Sequence, residues 1–205
     1  MEQIKELLAE QLQDLLNAEN QIVGALPKMV EAAHAPKLKE AFEKHLAQTE
    51  RHVERLRNAL ELLGEEGDSK PCKGMKGLLE EGQETIEEGE EKDEFEADLA
   101  LIGAAQKVEH YEISGYGTAR CLARQIGERE VAKLLSHTLG EEESADFLLT
   151  EISKPLLQQA TDGMGYETPR SEHSTGASEL EHLRTKAQSA GAAGSADLKP
   201  KKSKG

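Results

Sequence analysis

The stretch Lys107-Val108-Glu109-His110-Tyr111-Glu112-Ile113 decides how this chain is read. Around it, Leu101, Ile102, Ala105, Val108 and Tyr116 recur at helical spacing and mark a core-facing stripe. Glu109 and Glu112 lie one turn apart inside that stripe. A carboxylate on an apolar helix face costs several kcal/mol unless it is paired, protonated or bound to a metal. The same conflict recurs on two other predicted helices. Glu19 lies in line with Leu8, Leu12, Leu15, Ile22 and Leu26, and Glu142 with Val131, Leu135, Thr138, Leu149 and Ile152. A carboxylate-bridged metal pair inside a helical bundle is the sharpest common cause. The plainer alternative is that these faces are less buried than their periodicity suggests.

Composition sets the outer bounds. A chain of 205 residues is long enough for one domain with a sizeable core. A net charge of −15, 3% aromatic residues and no Trp fit a helical protein rich in Ala, Leu, Glu and Lys. The acidity argues against nucleic acid as the main partner, because neutralising phosphate needs a basic surface. Cys72 and Cys121 form neither a disulfide framework nor a C-x-x-C pair, so a reducing cytoplasmic setting is expected. No apolar run is long enough to span a bilayer, and Met1-Glu2-Gln3-Ile4-Lys5-Glu6 lacks the features of a signal peptide.

The periodicity predicts a first helix over Ile4 to Ala33, with Pro27 kinking or splitting it near Ala25. Pro36 should open a second helix that runs to Leu63 and ends at Gly64. Met75, Leu78, Leu79 and Ile86 suggest a short helix inside a crossover too long for a tight turn. A third long helix is expected from Asp93 to Gln125, stopped by Gly127, although Gly103, Gly115 and Gly117 weaken it unless close packing needs them. A fourth should run from Glu128 to about Gln159, with Pro155 a kink or an end. The expectation is an all-α, ferritin-like four-helix bundle over 1–160, with a crossover carrying the short helix. From 161 to 205, Gly, Ser, Ala, Thr and Pro dominate, which suggests a flexible tail unable to bury enough apolar surface to order itself.

In the general di-metal bundle, two helices each give one Glu and the other two each give Glu-x-x-His. Glu19 and Glu109 fit the first role, and Glu112 adds a carboxylate one turn on. On the last helix Glu142 and Asp146 share a face, with Asp146 where a His often stands. On the second helix His45, Gln48 and His52 lie on one flank beside Thr49. His52 has no Glu three residues before it, and Gln48 offers a carbonyl oxygen without charge, which puts the second metal in question. The candidate metal set is therefore Glu19, Gln48, His52, Glu109, Glu112, Glu142 and Asp146. Against it stand bland readings: His45 and His52 as partly exposed helix residues, Glu141 and Glu143 as solvated, and Tyr111 and Tyr116 as packing.

Several runs together resemble one family. They are Ala18-Glu19-Asn20-Gln21 with Ala25-Leu26-Pro27-Lys28-Met29, Ala41-Phe42 to His45-Leu46 with Thr49, Ala104 through Ile113, and Glu141-Glu142 with Ala145-Asp146. The chain resembles the YciE/YciF-like family, bacterial stress-associated proteins of the ferritin-like superfamily, over about residues 1 to 160. The resemblance implies the four-helix fold, a homodimer and a dinuclear metal centre. Members often have Glu where this chain has Gln48, and some have Gln where it has His52. Two functions follow as expectations. The first is a dinuclear iron or manganese carboxylate protein acting on peroxide or O₂ under stress. The second is a non-enzymatic helical stress protein that binds a partner, its inner acids protonated or hydrogen-bonded.

Overall fold

The computed structural model describes residues 2–65, 67 and 71–162. Five helices make up the described chain: α1 (Glu2–Ala32), α2 (Pro36–Leu63), α3 (Lys73–Gly89), α4 (Glu94–Ile126) and α5 (Arg129–Asp162). The tail expected over 161–205 lies outside the described residues, apart from Thr161 and Asp162, which continue α5.

The helix ends follow local chemistry. Pro36 opens α2 at a position whose N–H has no intrahelical partner in any case. Gly64 and Gly127 close α2 and α4 in the left-handed conformation, with φ of 74° and 87°. Neither interior proline breaks its helix. Pro27 and Pro155 both face solvent, where water can take up the carbonyl each one frees. Buried Leu26 and Leu156, next to them, hold the chain in register against the core.

Neighbours in the bundle are α1 with α2, α2 with α5, α5 with α4, and α4 with α1. Asp98, near the start of α4, accepts hydrogen bonds from the backbone N–H groups of His34 (2.8 Å) and Ala35 (2.7 Å) in the α1–α2 turn. The end of α1 therefore meets the start of α4, and the two run antiparallel. On the opposite edge His52 and Arg55 of α2 meet Glu141 and Thr138 of α5 in reversed order, so this pair is antiparallel too. It follows that α2 and α4 point the same way across the diagonal. The chain must return the length of the bundle between them, and α3 makes that return, packed on α4 and α1.

The core comes in two apolar halves. One gathers Leu8, Leu12, Leu56, Leu60, Ala123 and Leu135; the other gathers Ile22, Leu38, Phe42, Leu101, Val108 and Leu149. All four long helices contribute to each half. Between the halves runs a layer of buried polar side chains.

Candidate metal centre

Each long helix supplies the layer from the middle of its apolar stripe. Glu19 comes from α1, His45 and His52 from α2, Glu109 and Glu112 from α4, and Glu142 from α5. All six are buried, and Glu19, His52 and Glu142 are fully so. His45, Thr49 and His52 step by four and then three residues, so α2 turns one face inward through two turns.

Two groups of ligand-type atoms converge. In one, His45, Glu109, Glu112 and Glu142 bring one atom each within 4.8 Å of the others; in the second, Glu19, His52 and Glu142 do the same. Glu142 belongs to both. His52 Nδ1 lies 2.8 Å from Glu142 Oε1 and 3.3 Å from Glu19 Oε1, and His45 Nε2 lies 3.2 Å from Glu109 Oε1. Despite these distances, His52 Nδ1 and His45 Nε2 make no aligned hydrogen bond. Among the described residues, ten buried side-chain polar atoms lack a hydrogen-bond partner. Nine belong to these six side chains; the other is Arg120 Nε.

The surroundings orient the layer. Tyr116 is fully buried and donates its O–H to Glu19 Oε1, a role beyond the packing expected of it. Glu141 is not solvated as the sequence suggested. It accepts from Arg55, whose Nη1 also reaches Thr138 Oγ1 at 3.2 Å, and it lies 3.0 Å from His52 Nε2. Burial alone would raise the Glu141 pKa, but Arg55 and His52 outweigh it and hold the group below its usual value. A His52 that donates from Nε2 to this carboxylate keeps the Nδ1 lone pair facing Glu19 and Glu142.

Electrostatics match a site built around positive charge. Burial pushes the Glu109 and Glu112 carboxyls well above the usual carboxylate range, and neighbouring acids push them further. Burial lowers the His45 pKa and so favours the neutral ring, whose lone pair is free. For His52, burial also lowers the pKa, but Glu142 and Glu19 outweigh it and push it up to about 10.

Of the candidate set, the structure brings together Glu19, His52, Glu109, Glu112 and Glu142, and adds His45. Gln48 is half-buried on α2, one turn before His52. Asp146 lies outside both groups, because its position one turn beyond Glu142 turns it to the α4–α5 edge. There it accepts from Gln106 Nε2 at 2.9 Å and lies 3.3 Å from His110 Nε2.

Fold and layer together define a class: an all-helical bundle with a buried histidine–carboxylate layer that could hold a metal. Residues 3–162 match the family model described as a Domain of unknown function (DUF892), and the chain belongs to that family. It is 43% identical over 157 residues to protein YciF of Escherichia coli strain K12, covering 75% of this chain and 92% of the relative. Among solved structures, the E. coli stress protein YciF superposes with a TM-score of 0.73 at 40% identity, over 77% of this chain and 99% of that one. YcfI of Rhodopseudomonas palustris, described as a putative structural protein, gives 0.68 at 36% identity, over 72% and 92%.

Proposed function

We propose that this member of the YciF-like stress protein family is a dinuclear iron or manganese carboxylate protein that acts on peroxide or O₂. One observation carries the reading: nine buried polar atoms without hydrogen bonds, all on six side chains that converge from four helices. Buried polar atoms left without aligned partners destabilise a fold, and a bound cation would relieve that cost. Divalent cations held at the two groups by Glu19, His45, His52, Glu109, Glu112 and Glu142 would satisfy most of these atoms together. Each group offers carboxylate oxygens and one imidazole, a donor set that suits iron or manganese better than a thiolate metal.

Bound iron or manganese would supply the electrons for dioxygen or peroxide chemistry. The chain does the rest. Glu142 would serve both ions, and His45 and His52 would each offer a ring nitrogen once deprotonated. Glu141 and Arg55 fix the His52 ring, and Tyr116 orients Glu19 and holds a proton beside it. The apolar half around Leu56, Leu60 and Leu135 excludes bulk water from its side of the layer. The reading includes a homodimer in the cytoplasm. Phe147 on α5, 63% exposed, supports pairing with a second copy, and sedimentation tests it.

The decisive experiment is elemental analysis after anaerobic reconstitution with iron and with manganese. About two metal ions per chain are expected. Glu142→Ala should lose both, because both groups use it, whereas Glu112→Ala should keep about one. Glu143→Ala, on the exposed face, should change nothing. No uptake by the unaltered protein would sink the reading.

A further inference from the structure

The apolar core half on the Phe42 side borders an open space. A cavity of about 620 Å³ lies beside it, lined by residues of all five helices. Protein cores pack to crystal density and leave few voids larger than a water molecule. This one is instead the size of a small-molecule chamber, about 300–1,000 Å³. Its walls are mostly apolar, with Ile22, Leu26, Met29, Phe42, Val108 and Leu149 among them. It touches the polar layer at His45 and Glu109.

The lining shows how the space runs. It includes Gln21 and Lys28 of α1 with Gln83 of α3 on one flank, and Gln48 of α2 with Ser144 of α5 on the other. A slot across the bundle suits a linear molecule. The rim carries three lysines. Lys44 is paired with Glu40, and Lys76 with Glu80 at 3.5 Å. Lys28 donates its Nζ to the neutral amide oxygen of Gln83 at 2.9 Å, which leaves its charge uncancelled at the mouth between α1 and α3. On a chain of net charge −15, an uncancelled cation at the mouth of an apolar slot selects a carboxylate head on an aliphatic chain.

We propose that this chamber binds a linear aliphatic carboxylate, a fatty acid, with its head at Lys28 and its chain passing His45 and Glu109. That the chain is thereby presented to a metal rests on the function proposed above; the binding itself does not.

The test is displacement of the fluorescent polyene fatty acid cis-parinarate by dodecanoate. It is run on the full chain, both chelator-stripped and metal-loaded. Saturable binding at one site is expected in the stripped form. Ala105→Phe, which fills the chamber from α4, should weaken it by about tenfold or more, equivalent to about 1.4 kcal/mol. If that variant fails to fold, Ala145→Phe fills the slot from α5. Lys28→Gln should weaken dodecanoate and leave dodecanol unchanged. Absence of saturable binding overturns the proposal, as does binding indifferent to both filling variants. A dimer whose formation expels the probe overturns it in favour of a second copy of the chain. Fatty-acid binding by a protein that takes up no metal leaves the chamber standing and sinks the metal reading. Metal uptake without fatty-acid binding does the reverse.

Discussion

A buried carboxylate without a hydrogen-bond donor or a cation keeps its proton. Glu109 and Glu112 sit buried among other acids, with pKa values raised by burial and then by those neighbours, and His52 holds a proton up to about pH 10. The sign of the pH dependence follows. The folded His52 pKa lies above its unfolded value of about 6.5. Its contribution is therefore complete below that pH and is lost as pH rises through about 10. Glu109 and Glu112 keep protons that the unfolded chain releases near pH ~4.3, so they too make stability fall as pH rises. The chelator-stripped protein should melt highest in mild acid and lower at each step toward pH 9. A melting temperature that rises over that range would contradict the assignment. Metal ions displace these protons, so the gap between loaded and stripped melting temperatures should widen with pH. The four acids were legible in the sequence because Glu in an apolar stripe is anomalous. His45, Glu141 and Arg55 were not, because His, Glu and Arg on a helix flank are ordinary surface residues. The one available signal was the spacing of His45, Thr49 and His52 on one face. Tyr116 was hidden for another reason: its partner Glu19 is 97 residues away.

Single positions also set how whole helices lie. Asp98 is 1% exposed and holds two backbone N–H groups of the α1–α2 turn. Asp98→Ala leaves both donors unpaired and should cost about 2–4 kcal/mol in urea unfolding. The role was not readable from the sequence, since an Asp one turn into a helix looks like an ordinary first-turn acid. The glycines of α4 divide in a way the sequence left open. A Cβ on Gly115 would meet Leu15 Cδ2 at 2.8 Å, whereas one on Gly117 would meet nothing within 4 Å. Gly117→Ala should therefore stabilise by about 0.5–1 kcal/mol through helix propensity. Gly115→Ala should gain less or destabilise, because Leu15 must shift within the core. Calorimetry of the pair separates the two.

Over the whole molecule, the four long helices, the crossover and both glycine stops were legible because apolar periodicity and chain-stopping residues are local signals. The two prolines misled in part: a proline's lost hydrogen bond is visible in sequence, while the exposure that makes the loss cheap is not. The open chamber was invisible too, because a void is a property of how helices meet, and no residue type marks it. The division of the core has a consequence for the order of synthesis. Every apolar half and both ligand groups draw on α5, the last of the five helices to be made. A nascent chain that has released α1 and α2 shows Glu19 and His52 to the surrounding water but lacks Glu142. Neither ion site is complete until synthesis has passed residue 142, more than two thirds of the way along the 205-residue chain. On the proposed metal reading, loading would then be a late event in the life of each molecule, set by the order in which the ribosome delivers the helices.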